Sequence, residues 1–168
     1  MTRIVVTVPI ASMLSANGRG ATWHAKAAKT SDLRNLGFLA ARLAVSIGFL
    51  PRLPMCHLMQ RAHLTVYIAA PTARRRDAAN LHPTVKALLD GMVAYGVLPD
   101  DSDAYLVGPD LRPDTERSAP GTYRFTFDFE DLAEEHPRPL PSGMADPEPG
   151  CTCDPYGAAT CNDHRSNR

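Results

Sequence analysis

Tyr123, Phe125, Phe127 and Phe129 alternate with Arg124, Thr126 and Asp128. Aromatic rings at every second position are the signature of a strand with one buried face, because successive side chains point to opposite sides of a sheet. A second alternation lies at residues 61–70, where Leu64, Val66 and Ile68 face one way and His63, Thr65 and Tyr67 the other. Residues 4–8 are β-branched and bounded by Pro9, and residues 104–107 read as a further short strand. Two helices fall between these strands. The first is expected over residues 32–47, capped by Ser31 or Asp32, with Leu33, Leu36, Ala40, Leu43 and Ile47 as its apolar stripe and Gly48 and Pro51 as its stop. The second is expected over residues 83–95, with Pro83 in its first turn, Gly96 as its C-terminal cap, and Leu81, Val85, Leu88, Leu89, Met92 and Val93 facing the core. Residues 12–30, rich in small and polar side chains, read as a long loop. The order β-α-β-α-β-β predicts an α/β (mixed α+β) fold: a small mixed sheet with two main helices.

Composition changes at residue 130. Pro137, Pro139, Pro141, Pro147 and Pro149, with several acids, leave little to bury, so residues 1–129 are expected to form one domain and residues 130–168 a disordered tail. The formal net charge is zero, yet residues 1–87 hold 12 Lys/Arg against two acids and residues 88–168 hold six against 16, or +10 and −10. Such asymmetry suits a polyanion-binding surface; it also suits two halves that neutralise each other on folding. The apolar run at residues 36–50 is broken by Arg42 and is shorter than the ~20 residues a membrane span needs. The N-terminus runs into a strand pattern without a signal-peptide cleavage site, so a cytoplasmic location is expected.

Residues 74–103 carry the chemistry. Arg74, Arg75 and Arg76 run into Asp77; Lys86 and Asp90 stand at i and i+4 on the second helix, away from its leucines; Asp100 and Asp101 follow its end. Phosphodiester hydrolysis needs an activated water and stabilised charge on phosphorus and leaving oxygen, which Mg²⁺ supplies when one or two carboxylates hold it and leave water positions open. A helix of about 13 residues is roughly 20 Å long. Linkers of about five residues, at up to about 3.5 Å each, allow Asp77 and Asp101 to fold back from its two ends towards Lys86 and Asp90. Each piece has a plainer reading: Lys86–Asp90 as a surface ion pair, Asp100-Asp101-Ser102-Asp103 as a solvated turn, Asn80 as a helix cap, the arginines as a solvated loop.

Taken together, these residues resemble the RusA-type Holliday junction resolvases, a family of phage and prophage endodeoxyribonucleases. Its signature is an Arg-rich loop, D-x-D-N, a lysine, an aspartate four residues on, and a D-D pair. Asp77, Asn80, Lys86, Asp90, Asp100 and Asp101 fall on it. Ser15, Asn17, Arg19, Trp23, Lys26 and Leu33-Arg34 match the N-terminal pattern, and the resemblance covers residues 3–129. It implies a Mg²⁺-dependent homodimer, with Mn²⁺ as a substitute ion, that resolves four-way DNA junctions by paired nicks. Asp77, Lys86 and Asp101 would be catalytic, and Asp77, Asp90, Asp100 and Asp101 would hold the metal. Two positions depart from the pattern: Ala79 replaces the second aspartate of D-x-D-N, and three extra residues separate Asn80 from Lys86. The chain is then either a variant compensated by Asp90, Asp100 or His82, or a junction-binding protein with weak or no cleavage.

Arg74, Arg75, Arg76, Arg19, Lys26, Lys29 and Asn80 are the expected DNA contacts. Trp23 suits stacking on an unpaired base, or equally anchoring a loop. In the tail, Cys151, Cys153, Cys161 and His164 are zinc-ligand types. Their C-x-C-x7-C-x2-H spacing matches none of the common fingers, which argues against Zn²⁺; a zinc-dependent DNA-binding regulator acting through the tail is the remaining alternative.

Overall fold

The computed structural model describes residues 2–17, 22–46, 57–73 and 77–132. Its elements are β1 (Thr2–Pro9), α1 (Trp23–Ser46), β2 (Ala62–Ala69), α2 (His82–Tyr95), β3 (Leu106–Pro113) and β4 (Thr122–Asp131), with short 3-10 turns at Ile10–Ser12 and Ala78–Leu81. The sheet order is β1-β4-β2-β3. β4 runs antiparallel to both β1 and β2, while β2 and β3 are parallel and joined through α2. This is the mixed α+β arrangement expected from the order of elements.

The aromatic strand takes an inner position because it has the most apolar surface to hide. Phe125, Phe127 and Phe129 are fully buried, and Tyr123 nearly so. Opposite them stand Val8, Val6 and Ile4 of β1 and Ile68, Val66 and Leu64 of β2. Together with Val85, Leu88, Leu89 and Met92 of α2 and Leu33 of α1 they form one core. The polar partners of the alternation lie on the other face. There Arg3 and Asp128 are direct cross-strand neighbours. Arg3 reaches Asp128 with Nε (2.6 Å) and Nη2 (2.8 Å), so the buried Asp128 carboxylate has both oxygens paired. On the same face Arg124 binds Asp114 (3.2 Å) and Glu116 (2.8 Å) in the β3–β4 connection.

Three sequence expectations need correction. First, α1 begins at Trp23, so the second half of the expected loop is helix. Its N-terminal cap is Thr22, whose hydroxyl accepts the Ala25 N–H (3.3 Å), and neither Ser31 nor Asp32. Ala25, Lys26, Ala27, Ala28 and Lys29 are strong helix formers, but they are largely exposed and so show no apolar stripe. Second, the buried face of α1 is Leu33, Gly37, Ala41 and Ala44. Leu36 and Ala40 flank it, and Leu43 points outwards at 60 % exposure. Beyond Leu33, which was expected, the stripe is made of small residues that a search for leucines passes over. The expected helix end at Ile47, Gly48 and Pro51 lies outside the described residues. Third, β3 covers Leu106–Pro113, whereas Ala104 belongs to the preceding turn. Pro109 and Pro113 hide this strand from a propensity reading; they are tolerated because β3 is at the sheet edge.

α2 matches its expectation closely. Val85, Leu88, Leu89 and Met92 are buried, and Gly96 closes the helix at φ 99°, its N–H donating to the Met92 and Val93 carbonyls.

The β3–β4 connection gives the fold an acid-sensitive point. Asp114 accepts the Glu116 N–H (3.0 Å) and faces Arg124, and these hold its carboxyl below the usual carboxylate range, the backbone N–H contributing most. An unfolded Asp titrates near pH ~3.9, so this contribution is complete above that pH and is lost as pH falls through and below it. In thermal melts from pH 6 downwards, Asp114→Asn is expected to start less stable than wild type, with the gap closing below about pH 4. A gap that stays constant with pH would exclude this role.

Candidate active site

Three charged residues from two segments meet on the exposed side of α2. Lys86 and Asp90 share one helix face, and the Lys86 ammonium donates to Asp90 Oδ1 at 2.8 Å. The chain after α2 turns back along the helix and brings Asp101 Oδ2 onto the same ammonium. Gly96 starts this return, and the adjoining Val97 and Leu98 are fully buried, fixing where the loop leaves the core. The fold-back anticipated for Asp101 is therefore present. A fourth group, to which the sequence assigns no role, is Arg34 of α1. It approaches Asp90 Oδ2 with Nη2 at 3.0 Å and Nε at 3.1 Å. The four side chains carry two positive and two negative charges. They also join the basic first half of the sequence to the acidic second half, so some of the charge asymmetry is neutralised within the fold.

Asp77 takes a different place. It caps the turn Ala78–Leu81, Oδ1 accepting the Ala79 N–H at 3.0 Å. It lines a cleft with Thr72, Asp114, Thr115, Glu116 and Arg117, apart from the contacts of Lys86. Asp100 accepts the N–H of Asp101 (2.9 Å), the geometry of a turn acid. Among the described residues, no three or more His, Cys, Asp or Glu side chains gather where they could hold a metal ion. Asp77, Asp90, Asp100 and Asp101 thus do not form a single ligand cage here. Asp90 is the least suited of the four, because each of its oxygens already meets a cation. His82 is exposed at the start of α2, with no described side-chain contact that would make it a substitute ligand.

Asn80 is not the cap of α2; Leu81 holds that position without a side-chain bond. Instead Asn80 Oδ1 accepts from Asn17 Nδ2 (2.8 Å), and its carbonyl accepts the Ala16 N–H (2.9 Å). Nearby, the buried Thr84 hydroxyl donates to the Leu14 carbonyl (2.7 Å) and accepts the Leu14 N–H (2.8 Å). These bonds fasten the segment after β1 to the start of α2, so the two matched motif regions, around Asn17 and around Asn80, are spatial neighbours. Trp23 is 75 % exposed and makes an edge contact with the His24 ring. Lys26 is exposed, whereas Lys29 is engaged with the Ala11 carbonyl (2.6 Å). Arg19, Arg74, Arg75 and Arg76 lie outside the described residues, as do Cys151, Cys153, Cys161 and His164. None of the described helices is long and apolar enough to cross a membrane. No protein-family model matches this chain, and no curated protein matches it either.

Proposed function

We propose that the chain is a Mg²⁺-dependent, structure-selective DNA endonuclease that nicks four-way junctions and works as a homodimer. The observation that carries this reading is Lys86, held between Asp90 and Asp101 on an accessible surface. Asp101 comes from a separate segment, so more than a local i,i+4 pair is built here. An ammonium fixed in this way offers preorganised positive charge to a phosphate oxygen, whose charge grows during hydrolysis. A phosphate reaching the site takes the place of the Asp101 contact while Asp90 keeps the ammonium aimed. The released Asp101 carboxylate is then free to take part in holding the ion.

The donor types suit Mg²⁺, a hard ion that needs only one or two carboxylates and keeps several waters. Asp100 commits one oxygen to a backbone N–H, and its second oxygen makes no hydrogen bond or ion pair among the described residues. Asp100 and Asp101, neighbours on the return loop, are the residues that would hold the ion, which would supply phosphate polarisation and an activated water when bound. Exposed Lys26, the arginines at 74–76 and Arg19 extend the phosphate contacts, and Trp23 is available to stack on an unpaired base. A second reading, a junction-binding protein that does not cut, draws on Ala79 and on the double pairing of Asp90.

The test is a synthetic four-way junction labelled on each strand in turn, incubated with the full chain in Mg²⁺ or Mn²⁺. The expected result is a pair of nicks placed symmetrically across the branch point, with a linear duplex of the same sequence left intact. Tight junction binding without cutting in either metal would establish the second reading; equal cutting of linear duplex would refute structure selectivity.

A further inference from the structure

Arg34 lies on α1, 56 residues from Asp90 in sequence, yet both of its near donors converge on Asp90 Oδ2. Lys86 takes the other oxygen, Oδ1. This division has a steric cause. α1 and α2 touch backbone to backbone at this level, since Gly91 lies directly against the Arg34 carbonyl. The Arg34 side chain therefore leaves α1 beside the helix turn that carries Asp90.

We propose that Arg34 is a positioning residue: its guanidinium locks the Asp90 carboxylate so that the second oxygen aims Lys86 at Asp101. Without Arg34, Asp90 is held by one mobile lysine alone and has freedom to rotate. The ammonium then loses its fixed direction, although every residue of the Lys86 cluster remains. Asp90 accordingly serves as a bracket between two cations, and a metal ion could take it only by displacing one of them. The catalytic consequence rests on the nuclease reading above; the positioning itself does not.

Two measurements separate these levels. The chain has only three lysines, Lys26, Lys29 and Lys86. Side-chain ammonium signals in ¹⁵N-edited spectra of the full chain without DNA can therefore be assigned, with Lys86→Met identifying the Lys86 signal. That signal is expected to persist in Arg34→Lys and to broaden or vanish in Arg34→Gln, with the Lys29 signal unchanged as a control for folding. An unaltered Lys86 signal in Arg34→Gln overturns the proposal. Under single-turnover conditions at saturating junction, Arg34→Gln should slow cutting about tenfold, equivalent to ~1.4 kcal/mol. Junction affinity should move less than twofold, and Arg34→Lys should recover part of the rate. In an Asp90→Asn background the Arg34 substitution should cost nothing further. If Arg34 instead contacts phosphate directly, Arg34→Gln weakens binding, lowers its salt dependence by about one ion, and adds to Asp90→Asn, and the proposal falls. A perturbed Lys86 signal in a protein whose wild type cuts no junction upholds the positioning and refutes the nuclease reading instead.

Discussion

Replacing Gly91 by alanine is expected to destabilise the fold severely, whereas glycine-to-alanine substitution in an ordinary exposed helix position stabilises by about 1 kcal/mol. A Cβ at residue 91 would stand 1.9 Å from the Arg34 carbonyl oxygen and 2.8 Å from the Phe38 nitrogen. These are backbone atoms, so no rotamer change relieves the overlap and the helices must separate. Gly37 meets α2 in the same way, with its Cβ position 2.0 Å from the Leu88 oxygen. Overpacking of this kind typically costs 1–3 kcal/mol where side chains can adjust; with backbone on the other side the net loss should be about 3 kcal/mol or more. For a domain of this size that corresponds to a fall in Tm on the order of 10 °C. Thermal denaturation of Gly91→Ala and Gly37→Ala measures it. A neutral or raised Tm for both would mean that the helices do not approach at these glycines. The same contact sets the reach from Arg34 to Asp90, so a Gly91→Ala protein that still folds should also lose the Arg34 clamp.

This helix contact shows where reading the chain in one dimension reaches its limit. The apolar alternation from Tyr123 to Phe129, the Val85–Met92 stripe and the Gly96 cap are local periodicities, and each appears in the structure as anticipated. The return of Asp101 towards Lys86 was also accessible, because a short linker from a helix end limits how far its residues can go. Gly37 and Gly91 are different: a glycine inside a helix reads as a weakness until the partner backbone is seen. Arg34 and Asp90 belong to separate helices, and no spacing rule links them. The Arg3–Asp128 pair likewise depends on strand register between the two ends of the domain. The first two turns of α1 bury almost nothing and so carry no apolar period, although Thr22 with its alanines and lysines holds the capping and propensity signal.

Sequence spacing allowed both aspartates to fold back to the middle of α2; Asp101 does so, while Asp77 is retained by the 3-10 turn that it caps. Ala79, where the D-x-D-N pattern has its second carboxylate, lies in that same turn, and its N–H is the donor to Asp77. On the nuclease reading, Ala79 leaves Asp77 without a second carboxylate in its own turn, while the Lys86 cluster is untouched.

The largest functional effect is expected at Lys86. Lys86→Met keeps a long unbranched side chain on an exposed helix face, so its effect on stability should stay within about 0.5 kcal/mol. It nevertheless removes the one positive charge that Asp90 and Asp101 hold in common. Groups that stabilise transition-state charge typically contribute 10²–10³ in rate, about 3–4 kcal/mol. Junction cutting should therefore fall by at least a hundredfold, with binding nearly unchanged. Asp101→Asn should give a loss of similar size, because it removes both the Lys86 partner and a carboxylate proposed to hold the ion.

The most direct measurement is the single-turnover rate of four-way junction nicking in Mg²⁺ for wild type, Lys86→Met and Asp101→Asn, compared at equal junction occupancy. The expected result is symmetric nicking by wild type and a hundredfold or greater loss in each variant, with Tm and junction affinity preserved. Nicking at the wild-type rate by either variant would contradict it, as would a wild-type chain that binds the junction and never cuts.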